Sequence, residues 1–122
     1  MATIVVIDDD DGVRETVTRM LKGASHTVHE AADGDSGLTL CLEVKPAVVV
    51  TDILMPQKEG IETILALKRA EPGIRIIAIS GGGRIGSTDI LTMARQLGAD
   101  EVLEKPFRRA ELLAAIDRLL AG

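Results

Sequence analysis

Four consecutive aspartates, Asp8–Asp11, follow directly on a short run of β-branched apolar residues. Two like charges about 5 Å apart repel each other by roughly 3 kcal/mol at an effective dielectric near 20. A helix-capping aspartate accepts a backbone hydrogen bond, and we assign that role to Asp11 first and to Asp10 second. The remaining pair, Asp8 and Asp9, supply oxygen ligands of the kind that Mg²⁺ prefers.

Three further polar residues follow apolar runs along the chain, namely Asp52, Ser80 and Lys105. An aspartate can act as a nucleophile and form an aspartyl phosphate. A serine hydroxyl can donate a hydrogen bond to a phosphoryl oxygen, and a lysine is a compact positive charge for the same group. Together with the acidic pair, these residue types indicate a phosphoryl-transfer site, provided that the fold brings them together.

The apolar pattern predicts the elements that position these residues. Short apolar runs typical of strands buried on both faces occur at Thr3–Asp8, Ala47–Asp52 and Ile74–Ser80. Two runs with a weaker apolar pattern, His26–Ala31 and Glu101–Glu104, predict two further strands. Apolar residues at helical spacing follow each run, and the fourth such stripe is Ile90, Met93, Ala94 and Leu97. This alternation predicts one α/β domain over residues 1–122. Its five-stranded parallel sheet would have the flavodoxin-like, doubly wound order 2-1-3-4-5, with helices on both faces.

In such a sheet a ligand binds at the carboxyl ends of the strands, near the switch in strand order. The first strand delivers Asp8 and Asp9 to that edge, and the third delivers Asp52. The fourth and fifth strands deliver Ser80 and Lys105. We therefore expect these five residues to lie close together.

Composition narrows the class of protein. The net charge of −5 and the single aromatic residue, Phe107, argue against direct binding of nucleic acid. Cys41 has no second cysteine to pair with, and we expect it to be a small core residue in a reducing, cytoplasmic setting. The sequence has neither a basic secretory leader nor an apolar run of membrane-spanning length, so we expect no membrane association.

Motifs across the chain occur in the order of a known family. They are the acidic pair Asp8-Asp9, DILMPQKEG at 52–60, ISG at 79–81, GAD at 98–100 and KPF at 105–107. With these motifs the sequence resembles a response-regulator receiver domain of two-component and phosphorelay signalling. The resemblance implies a signalling domain rather than an enzyme, with Mg²⁺-dependent self-phosphorylation and slow autodephosphorylation as its only reactions.

The resemblance also implies site roles. Asp52 would accept a phosphoryl group from a phosphohistidine. Mg²⁺, or Mn²⁺ in its place, would be bound by Asp9, by Asp52 and by the main-chain carbonyl of Leu54, with Asp8 holding a metal-bound water.

The same resemblance implies that Ser80, Gly81 and Lys105 bind the phosphoryl oxygens. It further implies a cis peptide bond between Lys105 and Pro106.

Expected partners follow from this family as well. A sensor histidine kinase or a histidine phosphotransfer protein would supply the phosphoryl group. A downstream protein would bind the surface made by the fourth helix, the fifth strand and the fifth helix, where Arg84, Arg95 and Arg108 are candidate contacts. We expect a stand-alone receiver with no output domain.

Besides a mild change, Glu59 in place of a common Asp, three positions depart from the family pattern. Val102 stands where receivers commonly have the Tyr or Phe of their conformational switch. Leu54 and Gly82 replace polar side chains that can orient the water that attacks the acyl phosphate. We therefore expect a long-lived acyl phosphate, and signalling that relies on the Ser80 loop and the fourth helix or on another residue.

Other interpretations use the same residues. A phosphate sink or a relay intermediate to a histidine phosphotransfer protein shares the whole site. A haloacid-dehalogenase-like phosphatase would use Asp9 as nucleophile and Asp11 as acid/base. That interpretation leaves Asp52 unexplained. It also requires a second acidic pair after a late strand to bind the metal, and no late strand of this sequence ends in one. The pattern Gly81-x-Gly83-x-x-Gly86 matches a dinucleotide fingerprint, yet it follows the fourth strand rather than the first.

Overall fold

The computed structural model describes residues 1–53, 59–80, 92 and 94–122 of the 122-residue chain. Five parallel strands form one sheet in the order β2-β1-β3-β4-β5. The strands are β1 (Thr3–Ile7), β2 (Thr27–Ala31), β3 (Val48–Asp52), β4 (Arg75–Ser80) and β5 (Glu101–Glu104). The predicted parallel sheet and its strand order are confirmed, with strand ends that differ from the predicted ones by at most one residue.

Helices connect the strands. They are α1 (Asp11–Gly23), α2 (Gly34–Val44), α3 (Glu59–Ala70) and a C-terminal helix (Arg109–Ala121). Of the predicted fourth stripe, residues 94–97 are helical, whereas Ile90 and Met93 lie outside the described residues. Within the described ranges, no helix has both the length and the apolar character that crossing a bilayer requires.

The two faces of the sheet bury separate apolar clusters, because alternate residues of a strand point to opposite sides. Val5 and Ile7 of β1 pack towards α2 and α3. Ile4 and Val6 pack on the other side, with residues of α1 and the C-terminal helix. Cys41 of α2 is 1% exposed and is unpaired, which confirms its prediction as a core residue.

One glycine allows α2 to lie against β1. A Cβ atom built at Gly37 would lie 2.7 Å from Cγ1 of Ile7, closer than packed carbon atoms approach. Ile7 is the last residue of β1, directly before the acidic run. The Gly37–Ile7 contact therefore supports the end of the strand from which the predicted site begins.

The register of the strands brings their carboxyl ends to one edge. Asp52 is opposite Ile79, and Ser80 is opposite Glu104. The hydrogen bonds continue just beyond the strands, because Asp8 N–H donates to the Ala31 carbonyl at 3.1 Å. At the other side of the sheet, Lys105 N–H donates to the Ser80 carbonyl at 2.9 Å. The residues that immediately follow β1 and β5 thus continue the main-chain hydrogen bonding of the sheet.

Candidate functional site

Three carboxylates converge at this edge of the sheet. Asp8, Asp9 and Asp52 each offer an oxygen atom that lies within 4.8 Å of the other two. Asp8 is 2% exposed and Asp52 is 5% exposed, whereas Asp9 is exposed to solvent. The site therefore has two buried carboxylates at its base and one at its opening.

The turn from β1 into α1 gives each aspartate of the run a different environment. The Asp8 carboxylate accepts a hydrogen bond from Asp10 N–H at 2.8 Å. Asp10 caps α1, since its side chain accepts a hydrogen bond from Val13 N–H at 3.1 Å. Asp11 is the first helical residue and forms an ion pair with Arg14. The prediction of Asp11 as the main cap is thus wrong, because the backbone becomes helical at Asp11 itself, one residue earlier than expected.

Lys105 brings a positive charge into the carboxylate cluster. Its Nζ lies 3.0 Å from Oδ2 of Asp52 and 3.8 Å from Oδ2 of Asp8. The lysine directly follows β5, and the peptide bond to Pro106 is cis, as predicted. Lys105 therefore lies next to Asp52, the predicted phosphoacceptor.

Burial is the main electrostatic influence on Asp8. It raises the pKa of Asp8 from its usual 3.8 to about 6, because a buried carboxylate loses solvation. The hydrogen bond from Asp10 N–H opposes this increase in pKa, as does the charge of Lys105, while the charges of Asp52 and Asp9 add to it. The site thus places three carboxyl groups around a single lysine.

This donor set fits a hard divalent cation. The three side chains offer only oxygen atoms, and Mg²⁺ binds one or two protein carboxylates while keeping several water molecules. The exposed position of Asp9 leaves room for those water molecules on the solvent side. Leu54, whose carbonyl is the third predicted protein ligand, lies outside the described residues.

Ser80 ends β4, which pairs with the strand that ends in Asp52, and it is only 1% exposed. Its Oγ has no hydrogen-bond partner among the described residues. A buried hydroxyl without a partner costs about 1–3 kcal/mol, which a bound acceptor such as a phosphoryl oxygen would recover. Gly81, predicted to bind the same group, lies outside the described residues.

Val102 lies in β5, at the predicted switch position. It is partly buried and packs against the apolar cluster on the α2 and α3 side of the sheet. Of the predicted partner contacts, Arg95 and Arg108 are exposed. Arg84 and the glycines Gly82, Gly83 and Gly86 lie outside the described part of the chain.

The role of Arg14 is not evident from the sequence pattern. Its guanidinium donates to the Asp8 carbonyl at 2.7 Å and pairs with Asp11 and with Glu30, so it joins the acidic turn to α1 and β2. The i,i+3 spacing of Asp11 and Arg14 was a signal for an ion pair on the helix surface. It gave no indication of the bond to the Asp8 carbonyl.

Comparison with known proteins identifies relatives over nearly the whole chain. The family model described as "Response regulator receiver domain" matches residues 4–117. The response regulator MprA of Mycolicibacterium vanbaalenii is 33% identical over 117 residues, which cover 96% of this chain and 49% of MprA. The DNA-binding response regulator MtrA of Mycolicibacterium smegmatis is 31% identical, over 93% of this chain and 48% of MtrA. The chain thus spans about half the length of these curated relatives.

Solved structures show the same fold. A response regulator receiver domain protein from Clostridium thermocellum is 28% identical and superposes with a TM-score of 0.91, covering 99% of this chain and 95% of that one. The BeF3-activated DrrB receiver domain is 27% identical and superposes with a TM-score of 0.85, covering 100% of this chain and 99% of that one.

Proposed function

The chain belongs to the response regulator receiver domain family, and within that family we propose that Asp52 accepts a phosphoryl group from a phosphohistidine of a partner protein. The observation that carries this proposal is the contact between Lys105 and Asp52, with 3.0 Å between Nζ and Oδ2. No comparable cation lies within ion-pair distance of Asp9 among the described residues, and Asp9 is exposed. This favours Asp52 over Asp9 as the nucleophile, and hence a receiver over the phosphatase alternative.

In the proposed reaction a carboxylate oxygen of Asp52 attacks the phosphorus atom. The new P–O bond forms as the P–N bond to the imidazole breaks, and the leaving nitrogen keeps the electron pair and takes up a proton from water. Lys105 would bind an oxygen of the transferred group, since its ammonium already lies beside Asp52. The Ser80 hydroxyl, which has no hydrogen-bond partner in the part of the chain that the structure describes, would donate to another oxygen of the same group.

We propose that Asp9, Asp52 and the main-chain carbonyl of Leu54 bind Mg²⁺, with Asp8 holding a metal-bound water. When bound, the cation neutralises charge that builds up on the phosphoryl oxygens during transfer. The cluster of three carboxylates within 4.8 Å supports this assignment. Mn²⁺, which also prefers oxygen ligands, would serve as a substitute.

The proposed phosphoryl donor is a sensor histidine kinase or a histidine phosphotransfer protein. We propose that phosphorylation changes contacts with a downstream protein at the surface that includes β5 and the C-terminal helix. The exposed Arg95 and Arg108 are candidate contacts there. Phosphotransfer profiling separates this role from that of a relay intermediate, because only the relay passes the group on to a phosphotransfer histidine.

Intact-mass spectrometry tests the proposal. The protein is incubated with a small phosphodonor, such as acetyl phosphate, in the presence of Mg²⁺ or of a chelator. We expect the mass of one phosphoryl group on the wild-type protein with Mg²⁺, and none with the chelator or in Asp52→Asn. Asp117→Asn, an exposed aspartate on the C-terminal helix, is the matched control and should be modified like the wild type. Equal modification of Asp52→Asn would contradict the proposal.

The lifetime of the acyl phosphate is a separate prediction. Leu54 and Gly82 lack polar side chains that could orient an attacking water, so we expect slow loss of the group. The intact mass, followed over time after removal of the phosphodonor, measures this rate. Complete loss within seconds would contradict the prediction without affecting the assignment of Asp52.

A further inference from the structure

We propose that Arg14 is a positioning residue that raises the cation affinity of the acidic site by fixing the turn between β1 and α1. This inference rests on the proposed function, because it concerns the Mg²⁺ site described above. Arg14 itself offers no ligand atom to a cation. It would act through the main chain that carries Asp8 and Asp9.

The guanidinium of Arg14 makes contacts in three directions. Nη1 donates to the Asp8 carbonyl at 2.7 Å, Nη2 pairs with Asp11, and Nε lies 3.4 Å from Oε1 of Glu30. The arginine side chain is only 16% exposed, unlike a typical surface ion pair. A planar guanidinium with a fixed fork of donors can hold these groups in one geometry, which a lysine cannot do.

The bond to the Asp8 carbonyl matters because of how Asp9 is held. No described residue forms a hydrogen bond with the Asp9 carboxylate, which is exposed to solvent. The direction of that carboxylate therefore depends on the main chain at Asp8–Asp10. Arg14 fixes the Asp8 carbonyl at one end of this segment, and the Asp10 cap of α1 fixes the other end.

An effect of the Arg14 charge and an effect of its positioning role predict opposite changes in cation affinity when Arg14 is replaced. As a positive charge beside the site, Arg14 weakens the binding of a cation, so its removal alone would tighten binding. As a positioning residue it strengthens binding, so its removal would weaken it. Arg14→Lys keeps the charge and loses the fork, whereas Arg14→Met loses both. The pair of variants therefore separates the two effects.

The test measures the dissociation constant of Mg²⁺ by titration calorimetry. We expect Arg14→Met and Arg14→Lys to bind roughly tenfold more weakly than the wild type, the usual scale for loss of a group that supports metal ligands. Arg19→Met is the matched control, because Arg19 forms an exposed ion pair with Glu15 on the same helix at 2.9 Å. Its dissociation constant should stay within about twofold of the wild type. Unchanged affinity in both Arg14 variants, or tighter binding by Arg14→Met, would overturn the proposal.

Phosphorylation kinetics add a readout that a loss of folding would not imitate. At saturating Mg²⁺ we expect the Arg14 variants to be phosphorylated at nearly the wild-type rate, with the half-saturating Mg²⁺ concentration increased roughly tenfold. A lower rate at saturation with an unchanged half-saturating concentration would overturn the positioning role.

Amide hydrogen exchange of the metal-free protein tests Arg14 without reference to Mg²⁺. The Asp10 N–H is bonded to Asp8 and reports directly on the turn. We expect it to exchange roughly tenfold faster in both Arg14 variants, as expected for loss of one charge-assisted hydrogen bond, and at the wild-type rate in Arg19→Met. Absence of Mg²⁺ binding by the wild type would refute the proposed function, whereas unchanged exchange at Asp10 would refute the role of Arg14.

Discussion

Replacement of Asp8 by asparagine should stabilise the metal-free protein at neutral pH. The Asp8 carboxylate is 2% exposed and lies near Asp52 and Asp9, so its ionised form is unfavourable in the folded state. An asparagine is neutral and nearly the same size, and its side-chain oxygen can still accept the hydrogen bond from Asp10 N–H. The substitution removes the buried charge while keeping the turn.

The magnitude follows from the change in pKa on folding. Asp8 titrates near 3.8 in the unfolded chain and at about 6 in the folded protein. Between these values the folded state binds more protons than the unfolded state, so stability falls as pH rises through this window. At about 1.4 kcal/mol per pKa unit, ionisation of Asp8 costs roughly 3 kcal/mol above pH 6. Below pH 3.8 both states are protonated at Asp8 and this cost is absent.

Urea unfolding measures the difference. The chain has no Trp or Tyr, so the transition is followed by far-UV circular dichroism, with a chelator present. We expect Asp8→Asn to exceed the wild type in free energy of unfolding by about 2–3 kcal/mol at about pH 7.5, and by much less near pH 4. Asp117→Asn should stay within about 0.5 kcal/mol of the wild type at both pH values. A wild type as stable as Asp8→Asn at neutral pH would refute the reasoning from burial.

Further predictions concern packing and ion pairs away from the site. Gly37→Ala should destabilise the protein by about 1–3 kcal/mol, because the new Cβ would overlap with Ile7, whereas Gly73→Ala, with no atom within 4 Å of its Cβ, should be near neutral. An equal effect of the two alanines on the urea midpoint would contradict this. Lys68→Met should lower the free energy of unfolding by about 1–2 kcal/mol. The Lys68 side chain is only 23% exposed, and its Nζ donates to the Asp100 carboxylate at 3.2 Å. An unchanged thermal midpoint for this variant would show that the Lys68–Asp100 pair contributes nothing to stability.

Much of the fold was predictable because the three strands at the centre of the sheet, β1, β3 and β4, have a strong local signal. The central strand β3 is buried at all five residues, and its run of valines shows this directly in the sequence. Parallel connection through helices then restricts the topology, and the carboxyl ends of the strands must share an edge. The convergence of Asp8, Asp52 and Lys105 follows from this argument alone.

The details of the acidic run were less predictable, since they depend on where the backbone turns. Asp8 is buried and the adjacent Asp9 is exposed, and a shift of one residue would exchange these environments. A difference of one residue between the expected and the observed start of α1 likewise makes Asp10 the cap in place of Asp11. The bond from Arg14 to the Asp8 carbonyl depends on side-chain geometry across the turn, which has no pattern of its own in the sequence.

Chemical trapping of the acyl phosphate tests most directly whether Asp52 is the phosphoacceptor. After incubation with a phosphodonor and Mg²⁺, borohydride reduces an aspartyl phosphate to homoserine, and peptide mass spectrometry locates the changed residue. We predict homoserine at position 52, and none in samples treated with a chelator. Homoserine at position 9, or at neither position in a protein that has gained phosphate, would contradict the assignment of Asp52 as the phosphoacceptor.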